Sequence, residues 1–266
     1  MNKKIQAVIL DWAGTTIDYG CFAPLEVFVD VFRKRGVQIT IEEARRPMGL
    51  LKIDHIRALT EMPRIKQEWN QVFNCDPQES DIHEMYHDFE TTLFTILPRY
   101  TTPVPGAVEM VARLRERGLK IGSTTGYTKE MMDIVVPEAK KQGYSPDCLV
   151  TPDQAGGGRP YPWMSYMNAM KLGVYPMSSI VKAGDTVSDI QEGRNSGMWT
   201  VGVIWGSSEL GLTQEEVNAM DPKELADKAE AVRERFMEAG AHFTIDRIGD
   251  LDQIINVIEQ QELAYI

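Results

Sequence analysis

Three cysteines in 266 residues, Cys21, Cys75 and Cys148, leave little room for cross-linking chemistry. No two stand at Cys-x-x-Cys spacing, so neither a disulfide framework nor a zinc ribbon is expected. Positive charge is also scarce: 28 Lys and Arg face 39 Asp and Glu, a net charge of −11. A nucleic-acid surface would show as a basic excess, so no nucleic-acid partner is expected. Long apolar runs are missing too. The N-terminal "IQAVIL" is interrupted by Gln6 and stopped by Asp11, too short for a signal-peptide core or a membrane span. The expectation is a cytoplasmic protein with no membrane partner, and an apolar content of 43% suits a globular enzyme.

What is present alternates. "IQAVIL" (5–10) reads as a buried strand, and five more strands follow late in the chain: "LKIGST", "DCLVT", "SIVKAGD", "WTVGVI" and "AHFTID". Helical spacing in "AVEMVARLRERG", "TKEMMDIVVPEAKKQG", "WMSYMNAMKLG", "VSDIQEGRNSG" and "LDQIINVIEQ" fits between or after them. Such alternation predicts a Rossmann-like, doubly wound parallel sheet with helices on both faces. Residues 21–98 carry no comparable strand; "PLEVFVDVFRKRG", "TIEEARRPM", "KIDHIRALTEM" and "ESDIHEMYHDFETTLFTIL" all have helical spacing. The Pro- and Thr-rich "RYTTPVPG" (99–106) reads as a linker. The expected division is an α/β core of residues 1–20 and 99–266 and an inserted all-helical cap of residues 21–98.

Ligands of such sheets bind at the carboxyl ends of the strands. Asp11 follows the first strand, Thr124, Thr125 and Gly126 the second, Arg159 the third, and Asp185 and Asp189 the fourth. Two carboxylates can hold Mg²⁺, a hard ion that takes oxygen ligands. A hydroxyl, backbone N–H groups at a helix start and an arginine can cradle a phosphoryl group. Asp11 would then be a nucleophile able to form an aspartyl-phosphate.

"DWAGTT", "STTGYT", "GRPYP" and "GDTVSD" resemble the four motifs of the haloacid dehalogenase superfamily over nearly the whole chain. "DWAGTTIDYGCFAP", "PMGLLKIDHIRALTEMPRI" and "GRPYPWM" are similar, more narrowly, to its phosphonatase branch. Many relatives in the superfamily place a second Asp two residues after the nucleophile, to handle the proton of a leaving oxygen. Here that place holds Ala13. The resemblance implies cleavage of the P–C bond of phosphonoacetaldehyde, in which the leaving group is carbon and the second acid has no oxygen to protonate. It places a Schiff-base lysine at Lys52, which draws the departing electrons into an enamine. It also implies Mg²⁺ held by Asp11, Asp185 and the backbone carbonyl of Ala13, with Asp189 behind them. Met48, Cys21 and Tyr127 are implied to shape the substrate pocket, beside Thr125, Gly126 and Arg159. On a helix, Lys52, His55 and Ile56 would share a face, and His55 could move protons during imine formation. Relatives are homodimers joined through their caps, so a homodimer is the implied assembly.

Other readings stay open at this stage: a Mg²⁺-dependent phosphate-ester phosphatase, a dehalogenase, or a catalytically silent binding protein. "HEMYH" (83–87) matches a zinc-peptidase pattern, but its histidines flank the apolar face set by Ile82, Met85, Tyr86, Phe89 and Leu93. A solvated flank is the expected role. Trp205, in "VIWGSSELG", has no role that the sequence assigns.

Overall fold

The residues of "AVIL" are completely buried, because their strand lies inside the sheet rather than at its edge. The computed structural model describes residues 5–264. Six strands, β1 (Ala7–Leu10), β2 (Lys120–Thr124), β3 (Cys148–Val150), β4 (Ile180–Gly184), β5 (Trp199–Val203) and β6 (Phe243–Ile245), form one sheet in the order β3-β2-β1-β4-β5-β6. Every pairing is parallel, with Leu10 opposite Ser123 on one side and Ala183 on the other. Successive residues of β1 serve opposite faces, as strand geometry requires. Val8 and Leu10 join one apolar cluster, and Ala7 and Ile9 join another with Ala169 and Leu172.

Strand order reverses between β1 and β4, and this switch point opens a crevice at their carboxyl ends. Asp11 and Asp185 are the residues that follow these two strands. The fold thus sets two acids from opposite ends of the sequence beside one crevice.

Between β1 and β2 the chain forms α1 (Phe22–Lys34), α2 (Ile41–Arg45), α3 (Lys52–Glu61), α4 (Pro63–Phe73) and α5 (Glu79–Ile96), with no strand in this stretch. Helix α5 turns Ile82, Met85, Phe89 and Leu93 inward, and Phe89 stacks on Phe28 of α1 at 4.3 Å between ring centroids. Helix α2 starts in a capping box, in which Thr40 and Glu43 satisfy each other's backbone N–H groups. His83 and His87 are exposed on the flank of α5, away from any cluster of metal-ligating side chains among the described residues.

The remaining helices are α6 (Ala107–Glu116), α7 (Lys129–Lys141), α8 (Pro152–Ala155), α9 (Trp163–Leu172), α10 (Val187–Ser196), α11 (Gln214–Ala219), α12 (Pro222–Glu238) and α13 (Leu251–Ala264). Helices α4, α11 and α12 lie outside the elements expected from sequence. Their apolar stripes are thin: α4 buries only Ile65 and Trp69, and α11 only Val217. Helix α12 buries Leu225, Ala229, Val232 and Phe236 amid charged residues, and Asp221 caps its start by accepting from the N–H groups of Lys223 and Glu224. Phe236 packs directly on Gly202 of β5. Phe236→Ala is expected to cost about 3 kcal/mol in a denaturant titration; a loss under about 1 kcal/mol would mean that α12 contributes little to the core.

Candidate active site

Asp11 leaves β1 into a tight turn in which the carbonyl of Trp12 accepts from the N–H groups of Thr15, Thr16 and Ile17, at 3.1, 2.7 and 3.0 Å. Among the described residues, no backbone hydrogen bond of this turn ends on the Ala13 carbonyl. Ala13 borders the same pocket as Asp11 and Asp185. Gly14 has φ +89°, and a Cβ there would lie 2.3 Å from Asp185 Oδ2. The turn can approach Asp185 only because this residue has no side chain. The Thr15 hydroxyl spans the two acids, 3.4 Å from Asp11 Oδ2 and 3.2 Å from Asp185 Oδ1. Ser208, in the loop after β5, donates both its N–H and its hydroxyl to Asp185 Oδ2, each at 2.8 Å.

Below these acids lies a buried charge network. Arg159 pairs with Asp11, with Asp189 at 3.0 Å and, through Nε, with Glu192 at 3.1 Å. Lys182 reaches Asp189 at 2.5 Å and Glu192 at 3.5 Å. Glu192 also accepts from Thr124 Oγ1 and Ser165 Oγ, at 3.1 and 3.0 Å. Burial raises the Asp11 carboxyl above its ordinary range against the pull of Arg159. Burial, with Asp11 and Asp189 nearby, raises Asp185 well above that range. Burial would raise Asp189 as well, but Arg159 and Lys182 outweigh it and hold that carboxyl below its usual value.

Asp11, Asp185 and Asp189 present carboxylate oxygens that all lie within 4.8 Å of one another. Adding Glu192, four buried carboxylates face two cations, Arg159 and Lys182. The two uncompensated negative charges and the all-oxygen donor set fit a divalent metal ion. Asp189 already serves Lys182, Arg159 and Thr186, so it sits behind the two acids that border the pocket.

The helical segment closes the pocket from above. Lys52, the first residue of α3, is buried, and its Nζ lies 5.2 Å from the Tyr127 ring centroid and 5.9 Å from that of Phe28. It makes no hydrogen bond to any described side chain or carbonyl. Burial lowers its pKa; Cys21, Asp11 and Asp185 pull the other way without reversing the shift. Asp11, Ala13, Cys21, Met48, Lys52, Thr125, Gly126, Tyr127, Arg159 and Asp185 all border one pocket of about 20 Å³. Burial raises the Cys21 thiol and the Tyr127 hydroxyl well above their usual values, and the Tyr127 hydroxyl has no hydrogen-bond partner. Gly49 completes the seal: φ is +88°, and a Cβ would meet Thr186 Oγ1 at 2.6 Å.

His55 lies outside this lining. Its ring stacks on Phe28 at 3.8 Å, Nε2 is 2.9 Å from the Ala44 carbonyl, and Nδ1 has no partner. Burial and the neighbouring Lys52 push its pKa well below the ordinary value, so the ring is neutral. Trp205 stands apart, under the Arg247 guanidinium at 4.5 Å, beside a separate cavity with Tyr19 and Val217. Sequence reasoning missed Lys182, Glu192 and Ser208. A lysine inside the apolar strand "SIVKAGD" was the available signal for the first; Glu192 stands one helical turn after Asp189.

The pairing of this sheet, its helical insert and its strand-end acids defines a class. The haloacid dehalogenase-like hydrolase family model matches residues 5–197, and the chain belongs to that family of hydrolases. A phosphonoacetaldehyde hydrolase of Bacillus cereus (strain G9842) is 69% identical over 260 residues, 98% of each chain. One from Bacillus anthracis is 68% identical over the same length. The crystal structure of a phosphonoacetaldehyde hydrolase-like protein from Oleispira antarctica has a TM-score of 0.94 at 36% identity, covering 97% of this chain and 94% of that one. Within the hydrolases, the chain belongs with the phosphonoacetaldehyde hydrolase family.

Gly14→Ala places a methyl group against Asp185 in a conformation that alanine disfavours. It is expected to weaken Mn²⁺ binding, read by electron paramagnetic resonance, by at least about tenfold while far-UV circular dichroism stays unchanged. Unaltered binding would show that the turn and Asp185 need not be this close.

Proposed function

We propose that this protein hydrolyses the P–C bond of phosphonoacetaldehyde to acetaldehyde and phosphate, with Mg²⁺ at the acidic cluster and Lys52 as the amine that activates the substrate. The observation that carries the reading is Lys52: a buried amine without a hydrogen bond, across the pocket from Asp11 and Arg159. A phosphatase acting on esters gains nothing from an amine there and wants an acid at the place of Ala13.

Asp11, Asp185 and the free Ala13 carbonyl would hold the Mg²⁺, which would supply positive charge to offset the repulsion of a carboxylate and an anionic phosphonate. Arg159, the Thr125 hydroxyl and the N–H groups before α7 receive the phosphonate. The Lys52 amine adds to the aldehyde and water leaves, giving an iminium. An Asp11 oxygen then bonds to phosphorus as the P–C bond breaks, and the bonding pair moves into the C–C–N system to give a neutral enamine. Protonation of the enamine at carbon and hydrolysis of the imine release acetaldehyde and restore Lys52. Water cleaves the aspartyl-phosphate to phosphate and restores Asp11. Asp189 orients Arg159 through their ion pair. Met48, Cys21 and Tyr127 shape the space around the two-carbon unit. His55 braces the ring stack behind Lys52, and its neutral state removes a competing charge from the amine's surroundings.

Residues 21–98 act in this reading as a cap over a core of residues 1–20 and 99–266. A pocket of about 20 Å³ holds little more than one water, so the cap has to open to admit the substrate. Closed, it keeps bulk water from the reacting groups. A cap-to-cap homodimer is part of the proposal. Helix α1 spends most of its apolar residues inside the chain, so the exposed Ile41, Val72 and Phe73 of the insert are better candidates for that contact. No helix of the described residues is long and apolar enough to cross a membrane, and the cytoplasm is the proposed location.

The test is phosphate release. Mg²⁺-dependent release from phosphonoacetaldehyde and not from phosphate esters is expected, with a loss of about 10³-fold or more in Lys52→Arg. Release from esters with Lys52→Arg unimpaired would replace this reading with an ester phosphatase. Because burial lowers the Lys52 pKa, the free amine is present at lower pH than for an exposed lysine. The rate of imine formation should therefore climb with pH through that lowered pKa and level off below the ordinary lysine value of 10.5; a rate still climbing beyond it would contradict a desolvated amine.

A further inference from the structure

Arg45 ends α2, inside the helical insert, yet its hydrogen bonds reach outside it. Nη1 donates to the carbonyls of Gly20 at 2.9 Å and Ser208 at 3.2 Å, and Nη2 to that of Gly211 at 3.3 Å. The guanidinium lies over the Phe22 ring, 4.8 Å from its centroid, and has no ion-pair partner among the described residues. Gly20 is on the segment by which the chain enters the insert; Ser208 and Gly211 are on the core loop after β5. A half-buried arginine spent on three carbonyls acts as a fork that fixes geometry rather than as a counter-charge.

The loop it grips is the one that orients Asp185. Both Ser208 donors end on Asp185 Oδ2, at 2.8 Å each. The other end of the connection leads to the pocket, since the Arg45 carbonyl accepts from Met48 N–H at 3.0 Å, and Met48, Gly49 and Lys52 line the pocket from the insert's side. One side chain therefore joins the insert, its entry segment and the loop that fixes a metal-site acid.

We propose that Arg45 is a positioning residue that couples closure of the helical cap to assembly of the cation site, acting on Asp185 through Ser208. When the cap swings out, Arg45 leaves the carbonyls of Ser208 and Gly211, and the loop no longer holds the Asp185 carboxylate in one orientation. By linkage, a cation that favours the ordered carboxylate favours the closed cap to the same degree. The inference rests on Asp11 and Asp185 as the cation ligands.

The experiment is Mn²⁺ titration of the full chain without substrate, read by electron paramagnetic resonance, for wild type, Arg45→Met, Ser208→Ala and the double variant. Arg46→Met, an exposed neighbour, serves as control. Arg45→Met and Ser208→Ala should each weaken Mn²⁺ binding by about tenfold. The double variant should bind more tightly than the product of the two single effects, because the Ser208 N–H remains, and Arg46→Met should bind as wild type does. Full-strength binding by Arg45→Met, or singles whose effects multiply in the double variant, would overturn the coupling. If Arg45→Met does not fold, Arg45→Lys decides: it keeps the charge but not the fork, so wild-type affinity there also overturns it. Wild type failing to bind Mn²⁺ would instead remove the cation-site reading on which the inference rests.

Discussion

An excess of buried negative charge where β1 and β4 end is the constraint around which this protein is organised. Asp11, Asp185, Asp189 and Glu192 are all out of contact with bulk water, and among the described residues only Arg159 and Lys182 are ion-paired with them. A buried carboxylate left unpaired costs several kcal/mol, so every oxygen in the cluster has to be accounted for. Thr15, Thr124, Ser165, Thr186 and Ser208 supply hydroxyl donors to it, and Ser208 adds a backbone N–H. The parallel sheet makes this possible because its switch point brings residues 11 and 185 to one crevice.

The helical insert meets that cluster with a lysine in an apolar setting. Lys52 is desolvated between aromatic rings, a placement that favours its neutral amine. Of the two acids bordering the same pocket, Asp11 is paired with Arg159 and Asp185 is held by Thr15 and Ser208. An amine and a carboxylate lining one small closed space suit the substrate of the proposed reaction, with an aldehyde at one end and a phosphonate at the other. Ala13 belongs to the same logic. In the proposed reaction the leaving group is carbon, so the place beside Asp11 would need no acid and would offer only a backbone carbonyl.

Much of this was legible in the sequence. Each of the six expected strands is present, because buried parallel strands read as short apolar runs between polar turns. The strand-end residues were found by the same logic, and all but Thr124 and Asp189 border one pocket. Helices α4, α11 and α12 escaped notice because their buried residues are few, as in α4 and α11, or set among charged ones, as in α12. Ser208 escaped because it lies in a loop 23 residues from Asp185, and Lys182 and Glu192 because the contacts that join them to Asp189 and Arg159 follow no local spacing pattern. His55 shares the buried face of α3 with Lys52, as its spacing implied; that its ring stacks on Phe28 and sits outside the pocket lining depends on tertiary packing.

In the proposed reaction Lys52 forms a covalent imine with the substrate, a bond that can be trapped. The most direct measurement is reduction with borohydride after mixing the protein with Mg²⁺ and phosphonoacetaldehyde, followed by peptide mapping of any added mass. A two-carbon adduct confined to the peptide that carries Lys52 is the predicted result. Turnover of the substrate with no adduct on any lysine would contradict the account, since the P–C bond would then be breaking without the electron sink on which the mechanism depends.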